Sequence, residues 1–207
     1  MDDKGPSPGT RLPLVEHFYS LQGEGYHTGK AAYFIRIGGC DVGCSWCDSR
    51  YSWNPDLHPL VDITEIAGYV KNSGADSVVV TGGEPLMWDM QPLTSLLREM
   101  GIKLFLETSG SHPLTGEWDW ICLSPKKNSP PVGDICIRAD ELKVIIEDIP
   151  DFEWAEQYRA KVNEGCRLFL QPEWSRFDMV TGDIVNYILK NPVWAISLQS
   201  HKYMRIP

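Results

Sequence analysis

Cys40, Cys44 and Cys47 put three thiols within eight residues. Gaps of three and then two residues let one loop wrap one side of an iron–sulfur cubane, and Gly38, Gly39 and Gly43 let the backbone come close to it. Three cysteines are one fewer than such a cluster has irons. The remaining iron is open to an exogenous chelating ligand, which separates a catalytic cluster from an electron-transfer cluster closed by four cysteines. The same three thiolates with a histidine could instead hold a zinc ion. Cys122, Cys136 and Cys166 have apolar neighbours and no mutual spacing that suggests ligation, so they read as core residues.

A second stretch, Thr81 to Pro85, pairs Gly82 and Gly83 ahead of Glu84, where the missing side chains expose backbone polar groups to a ligand. Taken alone it is equally an ordinary turn. Both stretches directly follow apolar, β-branched runs, at 32–37 and 77–81. Loops at the carboxyl ends of parallel strands form the working face of a βα fold, so this placement favours a catalytic site over a structural zinc.

Similar runs recur at 103–107, 120–124, 141–146, 167–171 and 193–198, and near-continuous apolar runs suit buried parallel strands. Helical patterns lie between several of them. Ile63, Ile66, Ala67 and Val70 form one buried face, with Asp62 and Glu65 resembling a capping box; Met90, Leu93, Leu97 and Met100 form another, with Asp89 as N-cap. Weaker helices are predicted from Asp151 to about Glu164 and from Asp178 to about Lys190, each opened by its aspartate. Residues 109–119 are too short and too rich in Gly and Pro for a crossover helix. The predicted fold class is therefore α/β: a partial, trimmed (β/α) barrel of about six parallel strands with helices outside. Residues 14–207 are expected to form a single domain, and the polar, Pro- and Gly-rich residues 1–13 a flexible leader.

A formal net charge of −9 gives no field to attract a phosphate backbone, which disfavours nucleic-acid binding. No apolar run is long enough to span a bilayer. Six cysteines without a secretory signal point to a reducing compartment, and the cytoplasm is the simplest expectation.

The C-x3-C-x2-C spacing with Trp46 before its last cysteine resembles the signature of the radical S-adenosylmethionine superfamily, and the Gly-Gly-Glu turn one βα unit later is similar to that superfamily's clamp on the cosubstrate's amino group. Nearly the whole chain resembles one branch of it, the 7-carboxy-7-deazaguanine synthases of queuosine and deazapurine biosynthesis. The segments that carry this are 18–25, Arg36, 47–49, 81–85, 124–126, 140–143, Gln171 with Pro172, and the ending 198–207. The resemblance implies a radical lyase with a [4Fe–4S] cluster on Cys40, Cys44 and Cys47. Its open iron binds S-adenosylmethionine, and one electron releases a 5'-deoxyadenosyl radical. That radical takes hydrogen from carbon six of 6-carboxy-5,6,7,8-tetrahydropterin, whose ring contracts to 7-carboxy-7-deazaguanine with loss of ammonia.

Residue roles follow from the same resemblance. Trp46, Cys47, Asp48, Gly83, Ser124, Pro125, Lys126, Gln171, Pro172, Glu173 and Trp174 hold S-adenosylmethionine. Leu21, Gln22, Gly23 and Glu24 form a substrate-facing loop, joined by Arg36, Thr81, His201 and Pro207. Arg36 faces the substrate carboxylate, because a guanidinium offers the planar fork that bidentate recognition requires. Ser49 stands where the family commonly has threonine, as a Mg²⁺ ligand; it keeps the hydroxyl and loses a methyl that restricts the rotamer. No residue is assigned as a general acid or base. A reduced donor such as flavodoxin and a homodimer are implied. A radical-activating enzyme acting on a partner protein shares both motifs and is the alternative within enzymes; a non-catalytic zinc module is the alternative outside them.

Overall fold

The computed structural model describes residues 9–207. Nine strands form one open sheet in the order β3-β1-β2-β4-β5-β6-β7-β8-β9. They are β1 (Arg11–Leu21), β2 (Ala31–Ile37), β3 (Leu60–Asp62), β4 (Ser77–Gly82), β5 (Lys103–Thr108), β6 (Trp120–Leu123), β7 (Glu141–Ile146), β8 (Arg167–Pro172) and β9 (Trp194–Ile196). From β2 through β9 every pairing is parallel. β1 runs antiparallel to both β2 and β3. The helices are α1 (Ile63–Ser73), α2 (Gln91–Glu99), α3 (Ile135–Arg138), α4 (Pro150–Arg159), α5 (Phe177–Lys190) and α6 (Ser200–Met204).

Strand alternation divides the labour of the parallel strands, because successive side chains point to opposite faces. Ile35 and Ile37, Val78 and Val80, Leu104 and Leu106, Leu142 and Val144, and Leu168 and Leu170 pack into the core. There they meet Ile66 and Val70 of α1, Leu93 and Leu97 of α2, Ala155 of α4 and Ile184 of α5. The intervening residues Phe34, Arg36, Val79, Thr81, Glu107, Lys143, Ile145 and Gln171 line a cavity on the other face. One sheet thus supplies both a helix-covered core and a polar concave wall.

All seven predicted parallel strands are present, and the 109–119 connection carries no helix. The parallel part of the sheet has seven strands, in keeping with the expected partial, open barrel, and two antiparallel strands are added at one edge. Arg11, Leu12 and Pro13, read as part of a leader, begin β1: they pair with β3, and Leu12 is fully buried in the core. Gly9 and Thr10 precede the strand, and residues 1–8 of that leader lie outside the described residues.

The capping details also differ. Asp62 does cap α1, accepting from the Thr64 amide at 2.9 Å, but Glu65 takes the Tyr69 hydroxyl instead of closing a capping box. Asp89 accepts from the Gln91 amide at 3.0 Å, but the residue that opens α2 is Met90, whose side chain makes no capping bond. Asp151 lies inside the first turn of α4 and reaches backward, accepting from the Glu147 and Asp148 amides at 2.7 and 2.9 Å and pairing with Lys127. Pro150 can open α4 because the first amide of a helix has no partner to lose. No helix among the described residues is long and apolar enough to cross a membrane.

The connection between β1 and β2 folds across the concave face. Tyr26 and His27 stack with Trp120 and Phe105, at ring separations of 4.9 and 4.6 Å. Gly25, at φ +64°, lies so close to Glu141 that a Cβ would sit 1.9 Å from its Oε1. Only glycine fits both that conformation and that approach. This packing turns Glu24, one residue earlier, toward the cavity.

Candidate active site

The cavity has a volume of about 300 Å³ and opens at the carboxyl ends of the parallel strands. The loop after β2 brings Cys40, Cys44 and Cys47 to its wall, and all three thiols are free and half-buried. Hydrogen bonds that do not involve the thiols hold this loop. The Gly39 amide donates to Ser52 O at 2.7 Å, the Cys40 amide to Trp53 O at 3.0 Å, and Asn128 Nδ2 to Gly43 O at 3.1 Å. Asp41 pairs with His112 at 3.0 Å. The Gly82–Glu84 turn is docked on the loop as well: the Gly83 amide donates to Ile37 O at 3.0 Å and the Glu84 amide to Gly39 O at 2.7 Å. A Cβ on Gly83 would lie 2.2 Å from Gly39 O and 2.8 Å from Cys40 Cβ, so this contact requires glycine.

The Glu84 carboxylate is buried and committed to the chain. It accepts from the Leu86 amide, the Thr108 hydroxyl, and the amide and hydroxyl of Ser109. It therefore ties the end of β4 to the end of β5 and leaves the turn's backbone to face the cavity.

Burial pushes the Cys40 and Cys44 thiols up, and the nearby Lys126 ammonium works the other way on Cys44. Metal ligation would displace those protons. Among the described residues, no group of three His, Cys, Asp or Glu side chains converges on a point that could hold a single metal ion. Three free thiols carried by one loop at the cavity wall are the donor set that a three-cysteine cluster uses.

Every site residue predicted from sequence lines this one cavity except Pro125. Pro125 sits between Ser124 and Lys126, both of which do line it. Lys126 donates to the carbonyl and hydroxyl of Ser124 and lies 5.5 Å from the Trp46 ring centroid; burial lowers its pKa. Leu21 is the last residue of β1, and Gln22 and Gly23 follow it into the loop. Gly23 is pressed against His201, whose Nδ1 a Cβ would meet at 2.2 Å. The segment bearing His201 folds back over the mouth: Ser200 bonds Gly23 O at 2.9 Å, Lys202 pairs with Asp48 at 2.7 Å, and Ser20 donates to Pro207 O at 3.2 Å. Burial lowers the His201 pKa, which favours a neutral imidazole. Ser49 lies 3.6 Å from Cys47 Sγ, at the edge of the cysteine loop.

Sequence reasoning assigned Glu24 and Gln22 but gave no role to Lys143 and Glu107, which complete the charged floor of the cavity. Lys143, on β7, is buried between two carboxylates, with Nζ 2.6 Å from Glu24 Oε2 and 2.8 Å from Glu107 Oε2. Gln199 and Gln22 complete the set, donating to Glu24 Oε1 at 2.9 Å and Glu107 Oε1 at 3.1 Å. Burial alone would raise the Glu24 pKa, but Lys143 and these hydrogen bonds bring it down to about 2. The floor therefore offers an ionised acceptor at neutral pH. The signal for it was the charge itself, since a lysine or glutamate inside an apolar parallel strand costs several kcal/mol unless paired, by rough estimate.

A cavity lined by three free thiols, a glycine turn, Arg36, Glu24 and Lys143 has the groups to hold a cluster-bound cosubstrate beside a polar heterocyclic acid. Known proteins agree. The Radical SAM superfamily model matches residues 34–123. The chain is 55% identical to the 7-carboxy-7-deazaguanine synthase of Flavobacterium psychrophilum, over 96% of this chain and 94% of that one. It is 47% identical to the enzyme of that name from Synechocystis sp., over 94% and 93%. The crystal structure of QueE from Escherichia coli aligns with a TM-score of 0.82 at 31% identity, covering 92% of this chain and 95% of that chain. At these identities and coverages the chain belongs to the 7-carboxy-7-deazaguanine synthases, within the radical S-adenosylmethionine superfamily.

Proposed function

We propose that the chain converts 6-carboxy-5,6,7,8-tetrahydropterin to 7-carboxy-7-deazaguanine with loss of ammonia. The observation that carries this is one cavity lined by three free thiols, by Arg36 and by a Glu24 carboxylate paired with Lys143. Cys40, Cys44 and Cys47 would hold the [4Fe–4S] cluster, which with S-adenosylmethionine and one electron supplies a 5'-deoxyadenosyl radical to abstract hydrogen. The chain's own residues bind, orient and shield. Arg36 receives the substrate carboxylate through its fork. Glu24 accepts N–H groups from the heterocycle, and Lys143 keeps it charged. Phe18, Phe34 and Val79 line the cavity and help keep water from the reacting carbon.

Trp46, Asp48, Gly83, Ser124 to Lys126, and Gln171 to Trp174 are read as the cosubstrate's surroundings. Ser49 is read as a Mg²⁺ ligand whose remaining partners are substrate and water oxygens. A reduced flavodoxin-type donor, a homodimer and a cytoplasmic setting belong to the same reading.

Anaerobically reconstituted protein, given reductant, S-adenosylmethionine and the carboxylated pterin, is expected to form the deazapurine acid, read by mass spectrometry. No such product from protein with an intact cluster would discard the substrate assignment. Gly83→Ala is expected to cost about 1–3 kcal/mol of stability, because the new methyl meets backbone rather than a flexible side chain. By moving the cysteine loop it should also lower product formation by about a hundredfold. Product rate beside a melting curve checks both.

A further inference from the structure

Arg36 is itself held in place, and the groups that hold it have no part in the reading above. β1 carries a bulge: Leu14 pairs with Ile37 and Glu16 with Arg36, so Val15 is the extra residue. Cross-strand partners share a face of the sheet. Without the extra residue Val15 would oppose Arg36, and Glu16 would point to the other face. The bulge instead brings Glu16 Oε1 to 2.6 Å from Arg36 Nε. The same oxygen accepts from the Tyr51 hydroxyl at 3.0 Å, and Tyr51 lies in the 3-10 turn Arg50–Ser52 just beyond the third cysteine. Arg36 lines the cavity while Glu16 stands behind it, outside the lining.

This arrangement has a geometric consequence. With Nε taken, Arg36 has only its two terminal nitrogens to offer, so it presents the end-on fork and not the side-on pair. A guanidinium already braced has less rotamer freedom left to lose when a ligand binds.

We propose that Glu16, seconded by Tyr51, is a positioning residue that fixes the end-on fork of Arg36 and so sets the preference for a carboxylate on the heterocycle. The inference rests on the substrate reading above. It also makes a prediction opposite in sign to simple charge repulsion. A carboxylate behind the binding arginine repels an incoming anion, so on electrostatics alone Glu16→Gln would tighten the substrate; as a brace, its loss loosens it.

The test uses reconstituted holoenzyme and two ligands, the carboxylated pterin and the same tetrahydropterin lacking the carboxylate, the second as a competitive inhibitor. Glu16→Gln, which keeps an acceptor for Nε and loses the charge, is expected to raise KM for the first about threefold, the difference between a charge-assisted and a neutral hydrogen bond. Its kcat and the inhibition constant of the second should stay unchanged. An unchanged or lower KM overturns the proposal, as does equal weakening of both ligands, which would mark Glu16 as merely structural. Should Glu16→Gln lose its cluster or its melting transition, Tyr51→Phe decides: KM for the carboxylated ligand is expected to rise about threefold with the inhibitor unaffected, and no rise overturns. If the unsubstituted enzyme binds neither ligand, the substrate reading itself fails and takes the brace with it.

Discussion

Replacing Cys44 by alanine is expected to abolish formation of 5'-deoxyadenosine from S-adenosylmethionine while leaving the fold intact. The backbone of the cysteine loop is fixed by bonds to Ser52, Trp53, Glu84 and Asn128, none of which uses a thiol. Removing one half-buried sulfur therefore takes away a ligand without releasing the loop, and stability should stay within about 1 kcal/mol of the unsubstituted chain. Iron content, a melting curve and chromatography of the nucleoside product read the three quantities separately. Cys166→Ala is the control. That thiol is buried outside the cavity and pushed by burial up to about 12, so its loss should leave cleavage at the unsubstituted level. Undiminished cleavage by Cys44→Ala would remove the cluster from this loop.

The parallel strands were legible because most are short, apolar-rich runs bounded by turn residues, with their helix-facing positions buried in the core. β1 was not, for the same physical reason inverted. It lies toward the antiparallel edge, carries Arg11, Glu16, His17 and Ser20 among its apolar residues, and contains Pro13. Pro13 is tolerated because β1's partner there is the three-residue β3 at the sheet's edge. A bulge at Val15 further breaks the alternation by which a half-exposed strand is usually found. The site was legible where residue types carry unusual chemistry, as with three cysteines or paired glycines. It was illegible where ordinary residues acquire a role by register. Glu107 and Lys143 sit on different strands and Glu24 on a distant loop; only the β5-β6-β7 order, with each inward position repeated every second residue, brings them together. Within β7 the hint was local, since Glu141 and Lys143 share a face of an otherwise apolar strand.

That buried triad supplies the second large effect: Lys143→Met is expected to destabilise the fold by about 3 kcal/mol at neutral pH, because it strands carboxylates that are largely withdrawn from water. Burial disfavours the Lys143 ammonium, yet Cys122, Glu107, Glu24 and Glu141 around it hold its pKa well above the ordinary value. The pH dependence distinguishes this from a packing defect. In the unsubstituted chain Glu24 titrates at about 2, against an ordinary value of 4.5. Its ionised form stabilises the fold above the ordinary value, and that contribution fades as pH falls through the interval to about 2. Without Lys143, burial dominates and the Glu24 pKa rises; Glu141, already raised by burial and lowered by the same lysine, rises further. A folded-state pKa above the unfolded one makes stability increase as pH falls, so the variant should regain part of its loss on acidification from about pH 8 to about pH 5. Urea denaturation across that range reads the slope directly. A variant whose deficit stays constant with pH would show that Lys143 fills space and does not set the charge of Glu24. Turnover should fall with the neutralised carboxylate, since a protonated Glu24 presents a donor where the heterocycle's N–H groups need an acceptor.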